Sequence, residues 1–177
     1  MTEAKTYPPV LDACCGGRTM WVDHNDDRAL FVDKRNVVFK RSKSKGTLFQ
    51  VVPDMEADFT ALPFPDNTFA LVAFDPPHVV GKEEWKGDIL RMYGVLPQDW
   101  RDMLHKGFAE CFRVLRPEGV LIFKWAETQI ALREVLTLTD VRPLFGSIHG
   151  KNRTTHWVTF LKPNATGEAA LPARKDA

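Results

Sequence analysis

The sequence predicts an α/β fold with a mostly parallel central sheet and an antiparallel strand pair near its carboxyl end. Short apolar runs alternate with polar or helical segments along the 177 residues, as they do in α/β proteins. Two early runs end in aspartate, as expected where buried parallel strands emerge at one sheet edge. The length and the hydrophobic content of 44% fit one domain with a substantial core.

Composition excludes several classes of protein. The chain has 24 Lys+Arg and 23 Asp+Glu, a net charge of +1, so bulk positive charge does not hold it to nucleic acid, although a local basic patch stays open. No apolar run reaches the ~18 residues of a membrane span, and the first residues have no signal-peptide core. Three cysteines, two of them adjacent, match neither a disulfide scaffold nor a zinc site. We therefore expect a cytoplasmic protein with no metal and no membrane partner.

The first elements are short strands and a hairpin. Residues 10–13 and 29–33 are apolar runs predicted as β-strands, and residues 36–52 are predicted as a β-hairpin with a basic tip at residues 43–46. Basic residues around this hairpin are candidates for phosphate contacts, although such runs are usually solvated surface. They are Lys34, Arg35, Lys40, Arg41, Lys43 and Lys45.

The next predicted strand ends abruptly at a pair of prolines. Residues 71–74 form an apolar run that ends at Asp75, Pro76 and Pro77. Two prolines cannot continue a central strand, so the chain has to turn away at the carboxyl end of this strand.

The second half of the chain repeats the alternation of helix and strand. Residues 97–115 have apolar side chains at helical spacing, with a proline at the first position. The other predicted elements are a loop at 79–96, a strand at 120–123, a helix at 128–136, and antiparallel strands at 144–149 and 155–161. The predicted domain is residues 1–163, and small, polar residues predict a disordered tail at 164–177.

Three segments resemble the cofactor motifs of class I S-adenosylmethionine-dependent methyltransferases. Residues 10–17, Val-Leu-Asp-Ala-Cys-Cys-Gly-Gly, resemble the first motif. Residues 31–33, Phe-Val-Asp, resemble the second, whose acid binds the ribose hydroxyls, and residues 57–69 resemble the third, which contacts adenine. The resemblance implies a Rossmann-like fold and S-adenosyl-L-methionine as cofactor. The cofactor-binding residues it implies are Asp12, Cys14, Gly16, Trp21, Asp33, Asp58 and Phe59.

The glycine loop departs from the family pattern. Cys14 and Arg18 stand at two positions where the family has glycine. About a dozen residues separate the loop from the second strand, too few for the usual helix, so Trp21 is expected to pack over the cofactor instead. The predicted roles agree with elementary chemistry, because a carboxylate accepts both hydrogen bonds of a ribose diol and glycine allows close backbone approach.

The segment Asp75-Pro76-Pro77-His78 resembles the (D/N/S)-P-P-(Y/F/W) motif of amino-methyltransferases. Members of that family methylate adenine N6, cytosine N4, guanine N2 or a glutamine amide. The carboxylate and the Pro76 carbonyl accept the two N–H groups of the target, which leaves its lone pair directed at the methyl group. His78 replaces the usual stacking aromatic, and it can stack over a smaller area or form a hydrogen bond. These four residues are the predicted catalytic set.

Three further residues are predicted to contact the substrate. Tyr93 belongs to the loop at 79–96, which is either a lid over the base or an ordinary surface loop. Lys124 and Trp125 follow the strand at 120–123, although Trp125 is equally well explained as a helix-packing anchor. His156 and Trp157 are interpreted as core and hairpin packing.

The leading functional hypothesis is methylation of adenine N6 or cytosine N4 in DNA, with the base flipped out of a duplex. An RNA base methyltransferase is the next alternative, followed by a protein or small-molecule methyltransferase. The last is a catalytically silent cofactor-binding subunit. The chain has no room for a separate recognition domain, so a partner protein or a homodimer could supply target recognition.

Overall fold

The computed structural model describes residues 6–41, 47–81, 87–147 and 154–164. The predicted fold class is confirmed, because these residues form a seven-stranded, mostly parallel sheet with antiparallel strands at one edge. The strands are β1 (Val10–Asp12), β2 (Ala29–Asp33), β3 (Val37–Lys40), β4 (Leu48–Val51), β5 (Met55–Glu56), β6 (Phe69–Phe74), β7 (Leu115–Ala126), β8 (Pro143–Gly146) and β9 (Thr155–Leu161). The helices are α1 (Asp88–Tyr93), α2 (Trp100–Val114) and α3 (Leu132–Val135), and α3 continues as a 3-10 turn, Leu136–Leu138.

The strand order of the sheet is β5-β2-β1-β6-β7-β9-β8, and β3 with β4 forms a separate antiparallel hairpin. The strands β5, β2, β1, β6 and β7 run parallel, so their carboxyl ends meet at one edge. The order of the strands reverses between β1 and β6, and ligands of open α/β sheets bind at such a switch point. Asp12, Asp33 and Asp75 lie at the ends of β1, β2 and β6, so the topology brings the three predicted acids to this edge.

The main core lies between the sheet and the helices α2 and α3. Alternate residues of β7, Leu121, Phe123 and Trp125, are fully buried in it. The Phe108 ring of α2 lies 4.9 Å from the Phe123 ring and 5.5 Å from the Phe74 ring. Burial of a side chain of this size stabilises the fold by about 1.5–3 kcal/mol, so this aromatic cluster holds α2 against the sheet. No helix within the described ranges is long and apolar enough to span a membrane.

The opposite face of the sheet carries a smaller apolar cluster. Cys15, Ala29 and Phe31 are buried there, and Trp21 packs against them. As the short connection predicted, the described residues between β1 and β2 form no helix. Towards the other edge this face is open, and the side chain of Leu161 on β9 is 43% exposed.

The observed elements differ from the predicted ones in extent. The strand predicted at 120–123 is part of β7, which is 12 residues long because it pairs with β9 along seven positions. The helix predicted at 97–115 begins at Trp100, three residues after its proline. The helix predicted at 128–136 is reduced to α3 and its 3-10 turn, because a tight turn follows β7, with the Thr128 amide donating to the Ala126 carbonyl.

The loop prediction for residues 79–96 is wrong in part. The helix α1 lies inside it, and Val80 forms a bridge with Leu96. The flanking Gly87 and Gly94 favoured a loop, yet they lie just outside the two ends of this short helix. The hairpin prediction is confirmed for the described part of residues 36–52. The hairpin tip at 43–46, residues 82–86, the turn at 150–153 and the tail from 165 lie outside the described residues.

Gly107 allows α2 to approach the sheet closely. A Cβ atom at this position would lie 2.8 Å from both Cδ2 of Phe59 and Cζ of Phe74. We expect Gly107→Ala to lower the free energy of unfolding, because overpacking costs about 1–3 kcal/mol and alanine gains only about 1 kcal/mol in helix propensity. The measurement is urea denaturation at equilibrium. The control is Ala109→Ser on the exposed side of α2, with an expected change of about 0.5 kcal/mol. Greater stability of the Gly107 variant would contradict this packing.

Candidate functional site

A cavity of about 340 Å³ opens at the carboxyl edge of the sheet. It is walled by the strand ends on one side and by the β3–β4 hairpin and α1 on the other. It brings together two of the candidates for phosphate contacts, Lys34 and Arg35, and six of the residues predicted to bind the cofactor, act in catalysis or contact the substrate. These six are Cys14, Asp33, Phe59, Asp75, Pro77 and Tyr93.

Asp12 is buried at the end of β1, beside this cavity. Its Oδ2 accepts a 2.7 Å hydrogen bond from the Trp21 indole, and its Oδ1 accepts one of 3.3 Å from the Cys14 amide. Burial raises the pKa of Asp12 to about 7, and the charges of Asp75 and Asp33 act in the same direction, while the two hydrogen bonds oppose them. A cation bound nearby would therefore favour the ionised form and be bound by it.

Trp21 lies outside the cavity and contacts the site through Asp12. Its ring packs edge-on against Phe31 at 4.8 Å, and it does not line the cavity. Its contact with the site is the hydrogen bond that it donates to Asp12. The connection between β1 and β2 holds the Trp21 ring on the face of the sheet opposite the main core, and its packing over the cofactor stays a prediction.

The loop after β1 retains the shape of a glycine-rich loop although it has fewer glycines. Gly16 has a φ of 50°, and Arg18, at a position where the family has glycine, has a φ of 56°. This conformation costs a residue other than glycine about 1–3 kcal/mol. The Arg18 guanidinium offsets this cost by a 2.8 Å ion pair with Asp54 and by its position 3.9 Å from the centre of the Phe31 ring.

Cys14 lines the cavity but has no nucleophilic character. Burial raises the pKa of the Cys14 thiol, and the charges of Asp12, Asp75 and Asp33 raise it further. A thiol is nucleophilic only as the thiolate, so Cys14 acts as a small apolar wall residue.

Asp33, the predicted ribose-binding acid, is engaged by the protein itself. Arg35 Nε lies 2.9 Å from Oδ1 and Arg35 Nη2 lies 2.9 Å from Oδ2. The backbone amides of Arg35 and Gly16 donate to the same carboxylate at 2.9 and 3.0 Å. The Asp33 side chain is only 3% exposed.

Asp58 and Phe59, predicted to contact adenine, follow β5. Asp58 Oδ1 accepts hydrogen bonds of 2.9 Å from both the amide and the hydroxyl of Thr60. Its Oδ2 is 3.9 Å from Lys34 Nζ, and both side chains are partly exposed. The Phe59 ring is buried against Phe74 at 5.2 Å and forms part of the cavity wall.

Asp75 lies where the proline pair ends β6, and it forms an ion pair with Lys124. The distance between Lys124 Nζ and Asp75 Oδ2 is 2.5 Å, and the side chains are 21% and 17% exposed. Burial raises the pKa of Asp75, while the charge and hydrogen bond of Lys124 lower it. The lysine therefore holds one carboxylate oxygen and favours the ionised form.

His78, next along the chain, is half-buried between two aromatic rings. The centres of the Tyr93 and Trp125 rings lie 5.9 and 6.4 Å from its own. Burial lowers the pKa of His78, Asp75 raises it, and Lys124 lowers it. His78 is therefore predominantly neutral at neutral pH, and it presents a small aromatic surface with one donor and one acceptor nitrogen.

Trp125 is more buried and Trp157 more exposed than the sequence predicted. Trp125 is fully buried, and its indole N–H donates to the Ile130 carbonyl at 3.0 Å. The predicted substrate contact is wrong for Trp125, and the alternative of a helix-packing anchor is correct. Trp157 is 40% exposed, and Lys124 Nζ lies 5.7 Å from the centre of its ring. The pairing of Lys124 with Trp157 across β7 and β9 produces this arrangement, and alternation along β9 was the available signal.

The cavity has walls that the sequence-based prediction did not include. The hairpin supplies Val37 and Phe39, and α1 supplies Leu90 and Arg91. Arg35 also lines the cavity, and the sequence analysis named it only as a candidate for phosphate contacts. Its bond to Asp33 could have been predicted from spacing, because Arg35 stands two residues after this strand-end acid. Among the described residues, no three metal-ligating side chains converge.

Comparisons with known proteins identify the fold. No protein-family model matches this chain, and no curated protein matches its sequence. A TehB-like SAM-dependent methyltransferase from Corynebacterium glutamicum ATCC 13032 is similar in structure with a TM-score of 0.54 and 14% identity, over 90% of this chain and 82% of that one. The PH0226 protein from Pyrococcus horikoshii OT3 is similar with a TM-score of 0.51 and 17% identity, over 86% and 81% of the two chains. The chain has the fold of a SAM-dependent methyltransferase.

Proposed function

We propose that this chain is an S-adenosylmethionine-dependent methyltransferase that methylates an exocyclic amino nitrogen, N6 of adenine or N4 of cytosine in DNA. The observation that carries the proposal is the position of Asp75. It is a largely buried carboxylate that ends a central strand and lines the cavity, and two prolines follow it. Asp12 and Asp33, which end the two strands on the far side of the switch point, support a cofactor in the same cavity.

The residues around the cavity fit this cofactor by their chemistry. Asp12, with a pKa raised by burial to about 7, suits a ligand that carries an ammonium and a sulfonium group. The apolar ring of Phe59 suits the face of an adenine. Asp33 suits a ribose diol only after its two bonds to the Arg35 side chain are exchanged.

Asp75 holds the target nitrogen by accepting its hydrogen bonds. When bound, the cofactor supplies an electrophilic methyl group on sulfur. Lys124 holds Oδ2 of Asp75, so Oδ1 is the oxygen that accepts an N–H of the target amine. The Pro76 carbonyl accepts the second N–H, which keeps the nitrogen lone pair directed at the methyl group. The proton lost from the nitrogen after transfer leaves to solvent, because the ammonium of Lys124 has no free lone pair.

Nucleic acid is the favoured substrate because cationic side chains lie around the cavity. Lys34 follows β2, and Arg91 of α1 stacks over the Phe39 ring at 3.8 Å from its centre. Such groups suit phosphates on either side of a flipped base. Tyr93 and the neutral ring of His78 supply the aromatic contacts to the base. A partner protein or a second copy could add target recognition, and a cytoplasmic location remains a prediction.

The direct test is methyl transfer from radiolabelled S-adenosylmethionine to separate pools of DNA, RNA and protein. Labelled polymers are digested to nucleosides or amino acids and identified. Label in N6-methyladenine or N4-methylcytosine of DNA is the expected result. Label confined to RNA or protein would overturn the proposed substrate and retain the reaction class.

The second candidate function is that of a silent cofactor-binding subunit. The observation in its favour is that both site acids are paired with cations of the chain, Asp75 with Lys124 and Asp33 with Arg35. This candidate is preferred if the protein binds S-adenosylmethionine and transfers its methyl group to no substrate. A small-molecule substrate is preferred if methyl transfer to an amine occurs while no nucleic acid binds at low salt.

Asp33→Ala is expected to weaken cofactor binding by about threefold to tenfold, because a charge-assisted hydrogen bond is worth about 1.5–3 kcal/mol but the ribose gains only its difference from the Arg35 bonds that it replaces. The measurement is calorimetric titration with S-adenosylhomocysteine. The control is Asp140→Ala, an exposed acid outside the site, with an expected change of less than about twofold. Unchanged affinity of the Asp33 variant would refute the assignment of this carboxylate to the ribose.

A further inference from the structure

The guanidinium of Arg35 lies between the glycine loop and the end of α1. A Cβ atom at Gly16 would be 4.0 Å from its Nη2, and a Cβ atom at Gly94 would be 3.5 Å from its Nη1. The side chain is 21% exposed and lines the cavity together with Asp33. The partly exposed guanidinium therefore lies within the cavity, beside the carboxylate predicted to bind the ribose.

This arginine leaves Asp33 no acceptor position for another ligand. An ionised carboxylate has about four acceptor positions. The amides of Gly16 and Arg35 use two of them, and Nε and Nη2 of the Arg35 side chain use the other two. The two amide bonds are made by the backbone of the loops, so a ligand does not replace them. A ribose diol can therefore bind Asp33 only by displacing the side chain of Arg35.

We propose that Arg35 sets the affinity of the site for its cofactor by competing with the ribose hydroxyls for the carboxylate of Asp33. This inference rests on the proposed function, since it takes the cofactor to be an adenosyl compound. Both partners form charge-assisted hydrogen bonds, so the exchange is nearly balanced in number of bonds. The free energy that the ribose gains at Asp33 is therefore the difference between its own hydrogen bonds and the Arg35 bonds that it replaces.

Release of Arg35 also affects α1. Nη1 lies 3.3 Å from the carbonyl oxygens of both Arg91 and Met92, at the carboxyl end of that helix. Carbonyls at this end attract a cation. Arg35 thus ties α1, and with it the Tyr93 wall of the cavity, to the strand-end acid. Exchange of the arginine for ribose breaks the link between Asp33 and α1.

The test is the affinity for S-adenosylhomocysteine, measured by calorimetry, of the wild type, Arg35→Met and Arg35→Lys. We expect Arg35→Met to bind about tenfold more tightly than the wild type, with Arg35→Lys between them, because a lysine cannot form the bidentate pair. S-adenosylhomocysteine lacks the sulfonium charge and its ammonium is balanced by its own carboxylate, so it has no net positive charge and a gain is not explained by relief of repulsion between a cationic ligand and Arg35. Arg133→Met, which removes an exposed guanidinium of α3 outside the cavity, serves as the control, and its affinity should change by less than about twofold.

Equal or weaker binding of Arg35→Met would overturn the inference, because the arginine would then be neutral or would itself hold the ligand. That result leaves the proposed function intact if the wild type binds. Absence of binding by both the wild type and Arg35→Met would overturn the proposed function and this inference together. Hydrogen exchange gives an independent readout. Amides at residues 88–94 should exchange faster in Arg35→Met without ligand, and unchanged exchange there would contradict the link to α1.

Discussion

Asp75→Ala is expected to lower the rate of methyl transfer by about 10³-fold, because positioning of the target nitrogen depends on the acceptor oxygen that this change removes. The cavity wall formed by Phe59 and Asp33 remains in the variant, as does Asp12 beside the cavity. The affinity for S-adenosylhomocysteine should therefore change by less than about threefold. The measurement is single-turnover methyl transfer at saturating cofactor, on the substrate pool that the wild type labels.

Asp75→Asn separates the hydrogen bond from the charge. The amide keeps one acceptor oxygen in nearly the same place, but it can also turn its NH₂ group towards the target amine. We expect a rate between those of the wild type and the alanine variant. Turnover of Asp75→Ala within about tenfold of the wild type would be too small a loss for a positioning carboxylate. Such a result would exclude Asp75 as the residue that positions the target nitrogen, even if methyl transfer by the wild type were established.

Features that local pattern determines could be predicted from the sequence. Asp12, Asp33 and Asp75 each follow an apolar run, and parallel strands bring such ends to one edge of a sheet. The motif resemblance assigned the same residues. The absent helix between β1 and β2 could also be predicted, since a connection of about a dozen residues has no room for it.

Features that depend on tertiary contacts could not be predicted in this way. That Trp125 is buried and Trp157 is partly exposed depends on which face of the sheet α2 covers, and the pattern of β7 alone does not decide it. Arg35 was classed with a basic surface run, but the approach of α1 gives it two carbonyl partners and leaves it only partly exposed. The helix α1 was not predicted, because a helix of six residues between two glycines has little periodicity to detect.

Lys124→Met is expected to lower methyl transfer by about 10²-fold at neutral pH, because a misplaced catalytic oxygen costs about that factor. The loss should also depend on pH. Burial raises the pKa of Asp75, and Lys124 is the largest influence that lowers it. Removal of the lysine leaves only His78 to oppose burial, so the pKa of Asp75 should rise. The carboxylate is active when ionised, so activity is present above its pKa and lost as the pH falls through it. A higher pKa therefore moves the acid limb of the profile to higher pH.

The rate of transfer is to be measured against pH at saturating cofactor, because Asp12 has a pKa of about 7 and its protonation would weaken binding in the same range. Under that condition Asp75 and His78 are the groups near the target that titrate. Raising the pH should recover part of the activity of Lys124→Met, and Lys124→Arg, which keeps a cation beside Asp75, should keep the wild-type limb. A merely structural role for Lys124 predicts the same fractional loss at every pH. If the ratio of the variant's transfer rate to the wild-type rate were the same at every pH, Lys124 would have no role in positioning the catalytic carboxylate.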